Sequence, residues 1–112
     1  MRIKLMVASL LAFLLVVGSA EAFTYHLSYG QAKHATKEVA QEACAHAAEC
    51  SGYGVGACNR VSESRIDCVM AQFYPGREPG EEIECNTVLH WGASHDGFVA
   101  LKRHGQPHCF PV

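Results

Sequence analysis

Tyr53-Gly-Val-Gly-Ala-Cys-Asn-Arg60, Val61-Ser-Glu-Ser64 and Arg65-Ile-Asp-Cys-Val-Met-Ala-Gln-Phe73 run consecutively through the middle of the chain. Two short alternating runs around a polar link predict a β-hairpin. With the turn centred on Glu63, Cys58 stands directly opposite Cys68. On that register Tyr53, Val55 and Ala57 face the same way as Val69, Ala71 and Phe73. Such an apolar face needs a cover. The two cysteines fall on the opposite face, where a Cys58–Cys68 disulfide is expected. Closing a loop of that length contributes roughly 2–3 kcal/mol by the chain-entropy account.

The cover lies upstream. Ser28-Tyr29-Gly30-Gln31 matches a capping box, with Ser28 as N-cap and Gln31 as its partner three residues on. From there to about Ala48 the chain is Ala-rich without Gly or Pro, which predicts a helix. Ala32, Thr36, Val39, Ala40, Ala43 and Ala47 fall on one stripe of it, so the core face is built of small residues. Gly52 is the expected C′ residue that releases the chain into the hairpin. Lys33 and Lys37 sit early and Glu42 and Glu49 late, against the helix dipole, so packing rather than charge must hold this helix.

Downstream, two Pro-Gly pairs between Pro75 and Gly80 mark a loop. Glu82 to Trp91 then alternates, with Ile83, Cys85, Thr87 and Leu89 on one side. Pairing Phe73 with Ile83 sets Ala71 beside Cys85 and Val69 beside Thr87, continuing the apolar face. Gly92 to Gly97 is a second turn, and Phe98 to Arg103 a fourth strand with Val99 and Leu101 inward. The tail carries Pro107 and Pro111 and is expected to extend the sheet little. The reading is α+β: one N-terminal helix packed on a four-stranded antiparallel meander, disulfide-stabilised.

Residues 1–22 read as a signal peptide. Arg2 and Lys4 precede the apolar run Leu5–Val17, and Ala20-Glu21-Ala22 follows as a small-x-small cleavage pattern. Thirteen residues fall short of the roughly 20 that span a bilayer. Cleavage leaves one small domain, 23–112, secreted or periplasmic and free of the membrane. All six cysteines lie in it, an even number in a short exported chain, which implies three disulfides. There is no C-x-x-C, so neither a thioredoxin-like site nor a zinc ribbon is indicated. Cys44, Cys50, Cys85 and Cys109 allow three pairings. Cys50 sits near the helix end and Cys85 on the helix side of the third strand, which favours Cys50–Cys85 with Cys44–Cys109.

Without Arg2, Lys4 and Glu21, seven Lys and Arg stand against ten Asp and Glu, a net of −3. That is no footprint for nucleic acid. The seven histidines show no recurrent ligand spacing; a metal site drawing on His95, His104 and His108 is the alternative to solvated surface histidines. Ser94-His95-Asp96 contains the residue types of a nucleophilic triad, but a triad is assembled from distant segments and these three are consecutive. No catalytic residue, cofactor or metal is therefore assigned.

Ala43-Cys44, Cys50, Tyr53-x-Val55, Cys58-x-Arg60-x-Ser62-x-x-Arg65, Cys68 and Cys85 form a pattern that resembles small exported disulfide-rich bacterial proteins of unassigned function. The resemblance spans about Lys33 to Lys102 and implies a helix followed by a disulfide-linked antiparallel sheet. The helix-over-sheet order is also similar to cystatin-like inhibitors. Their Q-x-V-x-G hairpin motif is missing, since the tip here is Val61-Ser-Glu-Ser64, so protease inhibition is not carried over. The expectation is a non-catalytic exported domain acting through its surface on a protein or small-molecule partner.

Overall fold

The computed structural model describes residues 26–94 and 96–112; the proposed signal peptide, its cleavage point and His95 lie outside the described residues. Helix α1 spans Tyr29–His46, and the sheet comprises β1 Gly52–Ser62, β2 Arg65–Pro75, β3 Glu82–Ala93, β4 Val99–His104 and β5 His108–Pro111. The strand order is β1-β2-β3-β4, all antiparallel, with β5 also paired to β3. One helix on a four-stranded meander is the expected architecture; the fifth strand is an addition to it.

The N-terminus of α1 is closed by its capping box. Ser28 Oγ accepts from the Gln31 amide at 3.0 Å, and Gln31 Oε1 accepts from the Ser28 amide at 2.9 Å. With no acidic residue in the first turn, these bonds satisfy the free amides that charge does not. At the other end Gly52 is not the C′ residue. The chain turns earlier, at Ala47–Glu49, where Glu49 takes φ 65°. That left-handed residue swings Cys50 back beside the last turn of α1, and Cys50 bonds to Cys44 rather than to Cys85.

Near the hairpin tip the register is the one centred on Glu63, with Cys58 facing Cys68, Asn59 facing Asp67 and Arg60 facing Ile66, but the last pair slips by one to Ser62–Arg65. Below it the register shifts by one, because Val55 pairs with Met70 rather than Ala71. The irregularity falls at Gly56–Ala57, a β-bulge. Its effect is large, because side chains alternate with period two and one step changes the face. Tyr53 and Val55 keep the helix side, but their partners are Gln72 and Met70. On β2 the helix-side buried set is Ile66, Cys68 and Met70, while Val69, Ala71 and Phe73 occupy the outer face, where Ala71 alone of the three is buried. The Cys58–Cys68 disulfide accordingly lies beneath the helix, with Cys68 fully buried, not on the outer face. On β3 the helix-side set Thr87, Leu89 and Trp91 is buried, opposite Met70, Cys68 and Ile66.

β4 and β5 run along the same edge of β3, β4 beside Leu89–Ala93 and β5 beside Ile83–Asn86. They are in effect one strand broken at Gly105–Pro107, and the Gly105 amide spans the break by donating to Val88 O at 2.9 Å. The prolines thus interrupt the edge without ending it. Cys109 sits opposite Cys85 and is bonded to it, not to Cys44.

Leu27, Ala32, Thr36, Ala40, Ile66, Cys68, Met70, Leu89 and Trp91 make the core. The small face of α1 brings the helix close enough for Trp91 Nε1 to donate to Thr36 Oγ1 at 2.7 Å. Thr36 Oγ1 in turn donates to Ala32 O at 2.8 Å, so the buried indole N–H and hydroxyl are both satisfied.

Candidate functional site

The helix lies chiefly over β1 and β2, with a lesser contact to β4. A helix is about 10 Å across, whereas four strands at about 4.8 Å span about 19 Å. Part of the inner face of β3 and β4 is therefore left beside the helix, and there a cleft of about 350 Å³ opens. Its apolar wall is Val39 from α1, Met70, Leu89 and Leu101. Gln72 and Thr87 lie at its strand floor, and His104 to Pro107 form its rim.

The rim is held from three sides. His104 pairs with Leu89, Gly105 is bonded to Val88, and Cys85–Cys109 fixes β5 beyond the break. None of the described lining residues is Asp, Glu, Lys or Arg. Thr87 is only 7% exposed, and among the described residues its hydroxyl has no hydrogen-bond partner.

The histidines scatter. His104 pairs with Leu89, placing it on the helix side, whereas His108 pairs with Asn86, placing it on the outer face. The two therefore do not share a site, and His95 lies outside the described residues. Among the described residues no group of three or more His, Cys, Asp or Glu is placed to hold a metal. Ser94 Oγ accepts from the Phe98 amide at 3.1 Å, a turn contact.

Three histidines meet carboxylates, the first of them on α1, where His34 Nε2 lies 3.4 Å from Glu38 Oε2. On the outer face His90 Nδ1 meets Asp67 at 2.8 Å, with Arg103 at 3.4 Å from Nε2, a row across β2, β3 and β4. At the hairpin tip His26 Nδ1 meets Glu63 at 2.8 Å, and Arg60 stands 3.4 Å from Nε2. Arg60 also donates to the carbonyls of Ser62, Glu63 and Leu27, and its guanidinium lies 5.2 Å over the Tyr29 ring. It thereby ties the tip to the start of α1. The hydrogen bond from His26, then the charge of that ring and that of Arg60, holds the Glu63 carboxyl below its ordinary value.

The cleft is not evident in the sequence, because it depends on which strands the helix leaves uncovered. Its only foreshadowing is the alternation Thr87, Leu89, Trp91 on a strand whose inner face outreaches one helix. Trp91 is buried under α1, while Phe98 is 69% exposed. The disulfides and the small α+β fold fit an oxidising compartment, and no described helix is long and apolar enough to cross a membrane. No protein-family model, curated protein or solved structure matches the chain.

Proposed function

We propose that this chain is an exported, disulfide-stabilised binding module without catalytic activity, and that it works through the cleft beside α1. The observation that carries the reading is the cleft itself: a concave, mainly apolar surface with a few convergent polar groups, at the lower end of the size range of small-molecule sites. The frame around it is stiff, since a disulfide lies beneath the helix and another anchors the rim strand. A preformed site loses less entropy on binding than a floppy one. Export is supported by the Leu5–Val17 run and Ala20-Glu21-Ala22.

The test uses Nile red, an uncharged fluorophore that brightens in apolar surroundings, with protein recovered from an export host. Saturable enhancement is expected, and Leu101→Asp is expected to abolish it. Leu101 is 40% exposed, and a circular-dichroism spectrum matching that of the unaltered protein checks that the variant folds. Enhancement of equal size in the variant would place the dye elsewhere and sink the assignment.

A further inference from the structure

We infer that the cleft selects an uncharged amphiphile, a molecule with an apolar body and one hydroxyl or carboxamide head, and that the head binds at Thr87. The inference rests on the cleft being the binding site. Its first ground is electrostatic. No described lining residue carries a fixed charge, and a charged head taken from water without a partner is strongly disfavoured. His104, exposed at the rim, is bonded through Nδ1 to the Gly105 carbonyl at 3.3 Å.

The second ground is the floor. Thr87 is 93% buried by the packing of β2 and β3, yet its hydroxyl lies in the cleft wall and takes no partner from the described residues. The fully buried side-chain oxygen without a partner among the described residues is Asn86 Oδ1, so the Thr87 hydroxyl keeps contact with water that a ligand head can replace. Gln72, diagonal to Thr87 across the β2–β3 ladder, also lines the cleft, and its side-chain amide offers both donors and an acceptor. A hydroxyl or carboxamide head matches this pair because it too donates and accepts. The apolar body then runs out along Met70, Leu89 and Leu101 toward Pro107.

The test compares three probes of one chain length, 1-octanol, octanoate and octylamine, near neutral pH, by amide chemical-shift titration. Octanol is expected to shift the amides of Val39, Thr87, Leu89 and Gly105 saturably, with octanoate and octylamine at least about tenfold weaker. Thr87→Val, which keeps the side-chain shape, is expected to weaken octanol about fivefold, the worth of one ordinary hydrogen bond. Equal binding of octanoate or octylamine would overturn the uncharged class and leave the cleft as a site. Unaltered octanol affinity in Thr87→Val would remove the head-group assignment. No shift in the cleft with any of the three would overturn both this inference and the reading it rests on.

Discussion

Trp91 and Thr36, 55 residues apart, are joined by a hydrogen bond of 2.7 Å that fastens β3 to the middle of α1. The Thr36 hydroxyl is both the acceptor for the indole and a donor to its own helix, so one atom sets the depth of the helix on the sheet. Thr36→Val keeps the shape and removes both bonds. The indole N–H is then buried without a partner, and a loss of about 1–3 kcal/mol is expected by urea denaturation. A double-mutant cycle with Trp91→Phe should show coupling between the two positions; simple additivity would mean the bond contributes nothing.

The disulfides differ in the length of chain they close: 6 residues apart for Cys44–Cys50 and 24 for Cys85–Cys109. Loop entropy predicts about 2 kcal/mol for the first and about 3 kcal/mol for the second. Replacing Cys85 and Cys109 by Ser should also speed hydrogen exchange at the Gly105 amide, because β5 no longer anchors the rim. Replacing Cys44 and Cys50 should leave that amide protected. Equal exchange in both variants would show that the rim does not depend on the bond.

Glu63 carries a pH dependence with a definite sign. Its folded-state value lies below the ordinary 4.5, chiefly through the hydrogen bond from His26. A depressed carboxyl stabilises the fold above the unfolded value and loses that contribution as pH falls through the folded one. Urea midpoints should therefore drop as pH is lowered from about 5.5 to about 3.5, and drop less in Glu63→Gln. The same slope in both proteins would assign the acid sensitivity to other carboxylates.

Gly56, at the bulge, leaves little room for a side chain. A Cβ there would stand 3.2 Å from Val69 Cβ, an atom fixed by its own backbone. Gly56→Ala is expected to destabilise by about 1 kcal/mol through overcrowding, despite the better strand propensity of alanine. Thermal unfolding measures it, and an unchanged midpoint would mean the bulge relaxes.

That bulge also marks where the sequence stops being legible. Elements with local determinants could be read directly: the helix start from Ser28 and Gln31, and the Cys58–Cys68 pairing from a turn a few residues away. The faces of β2 could not. Ile66, Cys68 and Met70 on one side and Val69, Ala71 and Phe73 on the other are both apolar, so alternation alone selects neither. A one-residue slip at Gly56–Ala57 then decided the outcome. The Cys44–Cys50 bond was hidden for a similar reason: it depends on Glu49, a residue with no sequence signal for a left-handed conformation. The cleft was beyond reach because it records where the helix lies across the sheet, a result of packing among Ala32, Thr36, Ala40 and Trp91.

The broken strand on one margin of the sheet and the bulge on the other bear on solubility. An exposed strand margin templates the addition of a further chain, and growth requires an unbroken row of free amides and carbonyls. On the β4–β5 side Pro107 and Pro111 have no amide to offer, and the strand is interrupted between them and His104. On the β1 side the Gly56–Ala57 irregularity throws the row out of step, and the Tyr29 hydroxyl takes up the Arg60 amide at 3.2 Å. Both margins are thus broken rows, poorer templates for strand addition than an unbroken edge.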